Sequence, residues 1–162
     1  MRVGIGYDAR YFDPGRALVL GGVHVEGAWG LKARGDGDVL LRALADALLG
    51  AAGLGDLGDH FPSDEAAWED LPSAVLLQQV RTKTLALGLE PGNVDATLVA
   101  YRPDLAPFRA AMRQRIADLL QVDPAVVNVK AVRGVGPAAV QSGEGIAAHV
   151  VVTLGASTED AA

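Results

Sequence analysis

The segment from Asp38 to Leu49 (DVLLRALADALL) constrains the fold more than any other stretch of the chain. Asp38 is a good N-cap, Gly50 reads as the stop, and Leu41, Leu44 and Leu48 recur at helical spacing as a buried stripe. The flanking sequence reads as strands. Arg2–Asp8 alternates as a strand does, and Leu18–Val25 is a second β-rich run in which Gly21-Gly22 predicts a bulge or a close backbone approach. A second helix is expected over Pro72–Leu87, with Leu76, Leu77, Val80 and Leu87 inward and Pro91-Gly92-Asn93 closing the unit. Val94–Tyr101 alternates as a strand, and a third helix starting near Pro107 buries Phe108, Met112, Ile116 and Leu119. Asp123-Pro124 begins a turn before the strands Val127–Val132 and Ile146–Leu154.

The order β-β-α-α-β-α-β-β, without linker or repeat, predicts one α+β domain with helices on one sheet face. Residues 1–155 form that domain, and 156–162 are expected to be a disordered tail. The uncovered sheet face points to self-association. The N-terminus reads directly as a strand, not as a signal peptide, and no apolar run reaches the roughly 20 residues of a membrane span. The chain has no cysteine, which fits a cytoplasmic protein. A net charge of −6 argues against nucleic acid as a partner.

Gly4-x-Gly6-x-x-Ala9 and Gly134-x-Gly136-x-x-Ala139 mimic a dinucleotide fingerprint, but neither opens a helix that could hold a pyrophosphate. Gly53–Glu65 has the composition of a functional loop. Asp8, Asp36, Asp38, Asp46, Asp56 and Asp59 gather in or beside Gly-rich segments, where carboxylates meet metals or ligand hydroxyls. The local alternative is ion pairing, because Asp38, Arg42 and Asp46 fall four apart on one helix face. His24, His60 and His149 show no ligand spacing. Composition and spacing thus lead to an α+β oligomer with an acidic-and-arginine pocket.

The segments Arg2–Asp8, Leu20-Gly-Gly-Val23, Asp36-Gly-Asp38, Ala43–Ala52, Leu54–Gly58, Phe61-Pro62, Gly92–Asp95, Asn128–Ala131 and Gly143–Ile146 carry a resemblance. In order and spacing they are similar to the 2-C-methyl-D-erythritol 2,4-cyclodiphosphate synthase family over nearly the whole chain. The resemblance implies a mixed sheet in a homotrimer, with the sheets facing the three-fold axis and active sites between subunits. It also implies a phosphorus-oxygen lyase reaction of non-mevalonate isoprenoid synthesis. There, 4-diphosphocytidyl-2-C-methyl-D-erythritol 2-phosphate is cyclised with release of CMP.

Family chemistry needs zinc held by an Asp-x-His pair after the first strand and a His on the first helix. Asp8 matches the carboxylate ligand, but the other two positions are Arg10 and Arg42. Arginine has no lone pair to give a metal, so zinc is not expected and Asp8 is the only surviving ligand. Arg34-Gly35 stands at the family's His-Ser, Asp104 at a basic residue near the cytidine, and Val132-Arg133-Gly134-Val135 at a Thr-Thr-x-Glu run. The missing carboxylate at Val135 argues against the second cation, usually magnesium, so no cofactor is expected. Ala139 and Ser142 replace Phe and Arg positions at the trimer axis. The expected ligand-contacting residues are Asp8, Arg10, Arg34, Arg42, Asp56, Leu57, Gly58, Phe61, Pro62, Ala100, Ala131 and Arg133. Zinc-dependent catalysis is then lost or much reduced. The alternative reading is a non-catalytic trimeric paralogue that holds a nucleotide or diphosphate in an arginine-rich pocket.

Overall fold

The computed structural model describes residues 1–62, 68, 70–133 and 142–156. Strand β1 (Arg2–Leu20) runs unbroken and returns as β2 (Val23–Leu31). Gly21-Gly22 is therefore neither bulge nor strand interior. It is a two-residue hairpin turn with φ of 59° and 72°, the left-handed conformation that matches strand twist at such turns. The irregularity lies elsewhere in the pair, where the register shifts between Asp13 and Leu18.

Helix α1 (Val39–Ala52) starts where Asp38 predicts but passes through Gly50. Ala51 and Ala52 favour the helix enough to carry it to Gly53, whose φ of 74° supplies the left-handed cap. A short helix α2 (Leu57–His60) follows, then α3 (Ser73–Leu85), β3 (Leu89–Ala100), α4 (Arg109–Leu120), β4 (Val127–Val132) and β5 (Gly145–Ala156). Pro91-Gly92-Asn93 lies inside β3, where it breaks the register instead of ending a helix. Leu87, expected inward, lies beyond the end of α3 and is exposed. Most of the expected tail, 157–162, is outside the described residues.

The sheet order is β2-β1-β5-β3-β4. The sheet is mixed: β3 and β4 are parallel, as a crossover through α4 requires, and the other pairs are antiparallel. Helices cover one face, as expected. Gly4 and Gly6 fall on that face, and a Cβ on them would lie 2.0 and 1.8 Å from the carbonyl oxygens of Ala47 and Ala43. The Gly-x-Gly spacing thus serves helix–strand contact and not a phosphate. On the opposite face Val3, Ile5, Tyr7 and Val151 are exposed, by 62%, 69%, 48% and 41%. Among the described residues no helix is long and apolar enough to cross a membrane.

Candidate functional site

The period of two that puts Gly4 and Gly6 against α1 carries Asp8 and Arg10 to the same side of β1. Close strand–helix contact then brings Asp8 to Arg42 on the first turn of α1. Arg10 Nε donates to Asp8 Oδ2 at 3.0 Å, and Arg42 Nε lies 3.5 Å from the same oxygen. At that distance Arg42 gains charge attraction without a hydrogen bond, and its buried Nε has no acceptor among the described residues. Burial first, then the Arg10 charge, lowers the Arg42 pKa, while Asp8 opposes them.

These three positions do not suit zinc. One carboxylate oxygen faces two guanidiniums, which have protons where a ligand needs a lone pair. Among the described residues no group of three His, Cys, Asp or Glu could hold a metal ion. Val135 and Ala139 lie outside the described residues.

The local alternative, ion pairs from Arg42 to Asp38 and Asp46, does not form within 4.0 Å, and both carboxylates have other partners. Asp38 is fully buried and accepts four backbone N–H bonds, from Gly21, Gly22, Leu40 and Leu41 at 2.7–3.1 Å. It ties the β1–β2 turn to the start of α1. Complete burial pushes its carboxyl up to about 7, against the pull of the bonds from Leu41, Gly22 and Gly21. Asp46 accepts from Leu57 N at 3.1 Å and so holds the loop carrying Asp56 beside α1. Burial raises the Asp46 pKa.

The expected residues separate into two groups. Asp8, Arg42, Asp56, Leu57 and Gly58 line one cavity of about 390 Å3, together with Tyr7 and Asp46. Arg42 also borders a second recess with Arg34 and Phe61, and Arg10 joins the cluster through Asp8. Pro62 is half-buried and borders none of these spaces. Ala100, Ala131 and Arg133 line a separate cleft with Pro103, Asp104, Leu105 and Val132. There Arg133 stacks over Tyr101, 5.5 Å from its ring centre, and donates to the Tyr101 carbonyl at 3.2 Å.

Sequence reasoning missed Trp68, which borders the Arg34–Arg42 recess and meets Phe61 edge-on at 5.2 Å. It stands in a stretch of sequence with neither helical nor strand period, where spacing carries no signal. It also missed Asp36 as the cap of α3. Pro72 leaves that helix uncapped, and the Asp36 carboxylate accepts both Ser73 N (2.9 Å) and Ser73 Oγ (2.5 Å).

A profile of the YgbB family matches residues 1–155. The chain is 48% identical to a 2-C-methyl-D-erythritol 2,4-cyclodiphosphate synthase of Methylococcus capsulatus, over 94% of this chain and 97% of that one. It is 50% identical to a bifunctional IspD/IspF enzyme of Anaeromyxobacter sp. Fw109-5, covering 94% of this chain but spanning only 39% of the relative. Among solved structures, the bifunctional IspDF of Campylobacter jejuni matches with a TM-score of 0.89 at 39% identity, over 94% of this chain and 42% of that one. A cyclodiphosphate synthase solved in a CDP-bound form matches with a TM-score of 0.86 at 30% identity, over 95% and 100%.

The expectation that no cofactor is used does not survive these relatives. They are cyclodiphosphate synthases, the family whose chemistry works with divalent metal ions. That expectation generalised from Arg10, Arg42 and Val135, and each position speaks only for the donor it replaces. The profile match, the identities and the shared fold agree that the chain belongs to the YgbB family, that of the 2-C-methyl-D-erythritol 2,4-cyclodiphosphate synthases.

Proposed function

We propose that this protein binds a cytidine diphosphate ester of the kind its relatives cyclise, and that turnover through the family's zinc position is lost or much reduced. The observation that carries this reading is the pairing of Arg10 and Arg42 with one oxygen of Asp8. Two fixed positive charges occupy the place of a divalent ion and can hold a phosphate by charge-assisted hydrogen bonds. They cannot exchange ligands or polarise an oxygen as a Lewis acid does. The second reading, a ligand-binding paralogue without turnover, is favoured by the Arg42 Nε that has no acceptor among the described residues.

On either reading the protein is a cytoplasmic homotrimer with its open sheet faces toward the three-fold axis. The exposed Val3, Ile5, Tyr7 and Val151 support this, because such an apolar patch is costly to leave in water. Trimer formation also accounts for the two separate groups of site residues. The Asp8–Arg42 cavity of one protomer and the Ala100–Arg133 cleft of the next would complete one site between them.

The test is CMP release from 4-diphosphocytidyl-2-C-methyl-D-erythritol 2-phosphate, with zinc, with magnesium, with both and with neither, alongside CDP binding by calorimetry. The reading expects CDP to bind and zinc to add no CMP release. Zinc-stimulated release overturns it, and failure to bind CDP overturns both versions. Light scattering checks the trimer.

A further inference from the structure

Away from the Asp8–Arg42 cluster, a cleft of about 200 Å3 opens between Phe12, Gly27, Ala28, Trp29, Arg102 and Pro103. Its wall is an arginine set between two aromatic rings. The Arg102 guanidinium carbon lies 5.8 Å from the centre of Phe12 and 5.4 Å from that of Trp29. Arg102 Nε donates to the Gly143 carbonyl at 2.9 Å, which orients the guanidinium and leaves its terminal nitrogens for other work. Among the described residues those nitrogens have no acceptor, and no carboxylate lies within 4.0 Å. The chain has 20 acidic side chains and a net charge of −6, so an oriented cation without a carboxylate partner is out of keeping with its surroundings.

The remaining walls are apolar or bare. Trp29 is 50% exposed, so much of the indole is uncovered. Gly27 has φ of 73°, and a Cβ there would meet nothing within 4 Å, which leaves the cleft open on that side. A stacked guanidinium beside free aromatic surface recognises one charge and one flat apolar body together.

We propose that the Phe12–Trp29–Arg102 cleft is a second ligand site, which takes a small phosphate monoester with a flat apolar body. The phosphate meets the terminal nitrogens of Arg102 in the two-pronged geometry that guanidinium favours. The body lies against Trp29 and Pro103. Pro103 also lines the cleft of Ala100, Ala131 and Arg133, so the two sites share a wall.

The test is calorimetric titration of the full chain with phenyl phosphate, inorganic phosphate and phenol. Phenyl phosphate is expected to bind saturably and more tightly than either fragment. Arg102→Gln should weaken it about tenfold or more, the loss of a hydrogen bond to a charged group. Trp29→Ala should remove the advantage over inorganic phosphate. Arg102 and Trp29 are both exposed, so both variants should melt as the parent does. Absence of saturable binding overturns the proposal, as does indifference to Arg102→Gln in a variant that melts normally.

Discussion

Gly6 and Ala43 meet so closely that a single methyl group on Gly6 would sit 1.8 Å from the Ala43 carbonyl oxygen. The neighbour is backbone of α1 and cannot rotate away, so Gly6→Ala must push strand and helix apart. Overpacking of this kind costs about 1–3 kcal/mol and sometimes more. Urea unfolding of Gly6→Ala should show a loss at or above that range. CDP binding should weaken too, because the same contact sets Asp8 against Arg42.

Asp8 is the shared counter-ion of Arg10 and Arg42. Removing it leaves two guanidiniums facing each other with no carboxylate between them, and Arg42 is already held below its ordinary pKa by burial and by Arg10. Asp8→Asn should therefore destabilise the protein more than Arg10→Gln does. Adding Arg42→Met to Asp8→Asn should recover much of the loss, with a coupling of about 0.5–3 kcal/mol in the double-mutant cycle. Additive effects would show that the cluster is not one electrostatic unit.

Asp36 acts on a helix it does not belong to. Its carboxylate takes both hydrogen bonds offered by Ser73, 37 residues away, at the start of α3. Asp36→Ala should cost about 0.5–2 kcal/mol, as loss of a helix cap does. Ser73→Ala keeps the backbone bond and should cost less.

Complete burial pushes Asp38 up to about 7, above its ordinary 3.8, so folding favours the protonated form. The stability tied to that proton is present in full below about pH 4 and disappears as pH rises through about 7. Thermal melting should accordingly fall between about pH 5 and about pH 8. Asp38→Asn should flatten that slope, because an amide carries no titrating proton at this position.

What could be read from the sequence follows the range of the forces involved. The start of α1 at Asp38 and the whole of β4 (Val127–Val132) are legible, because cap, turn and alternation are local signals. The β1–β2 turn was hidden because Gly21-Gly22 sits inside an apolar run with no polar turn residue beside it. Gly4 and Gly6 imitate a nucleotide fingerprint in sequence. Their purpose shows only when α1 is seen lying across them. Spacing correctly put Asp38, Arg42 and Asp46 on one side of a helix. It could not reveal that backbone N–H groups, from Gly21 and Gly22 to Asp38 and from Leu57 to Asp46, would claim both carboxylates. The meeting of Arg10 and Arg42 with Asp8 was legible, because the sequence match placed all three at one position of the fold. That legibility did not extend to the family's use of metals as a whole.

The most direct test of the account is zinc titration of four proteins: the parent, Arg10→His, Arg42→His and the double substitution. A three-ligand site needs Asp8 and both imidazoles. Tight, stoichiometric zinc binding, with zinc-dependent CMP release, is expected only when both arginines are replaced. Tight zinc binding by the parent or by either single variant would contradict it, because the ligands would then lie somewhere other than Asp8, residue 10 and residue 42.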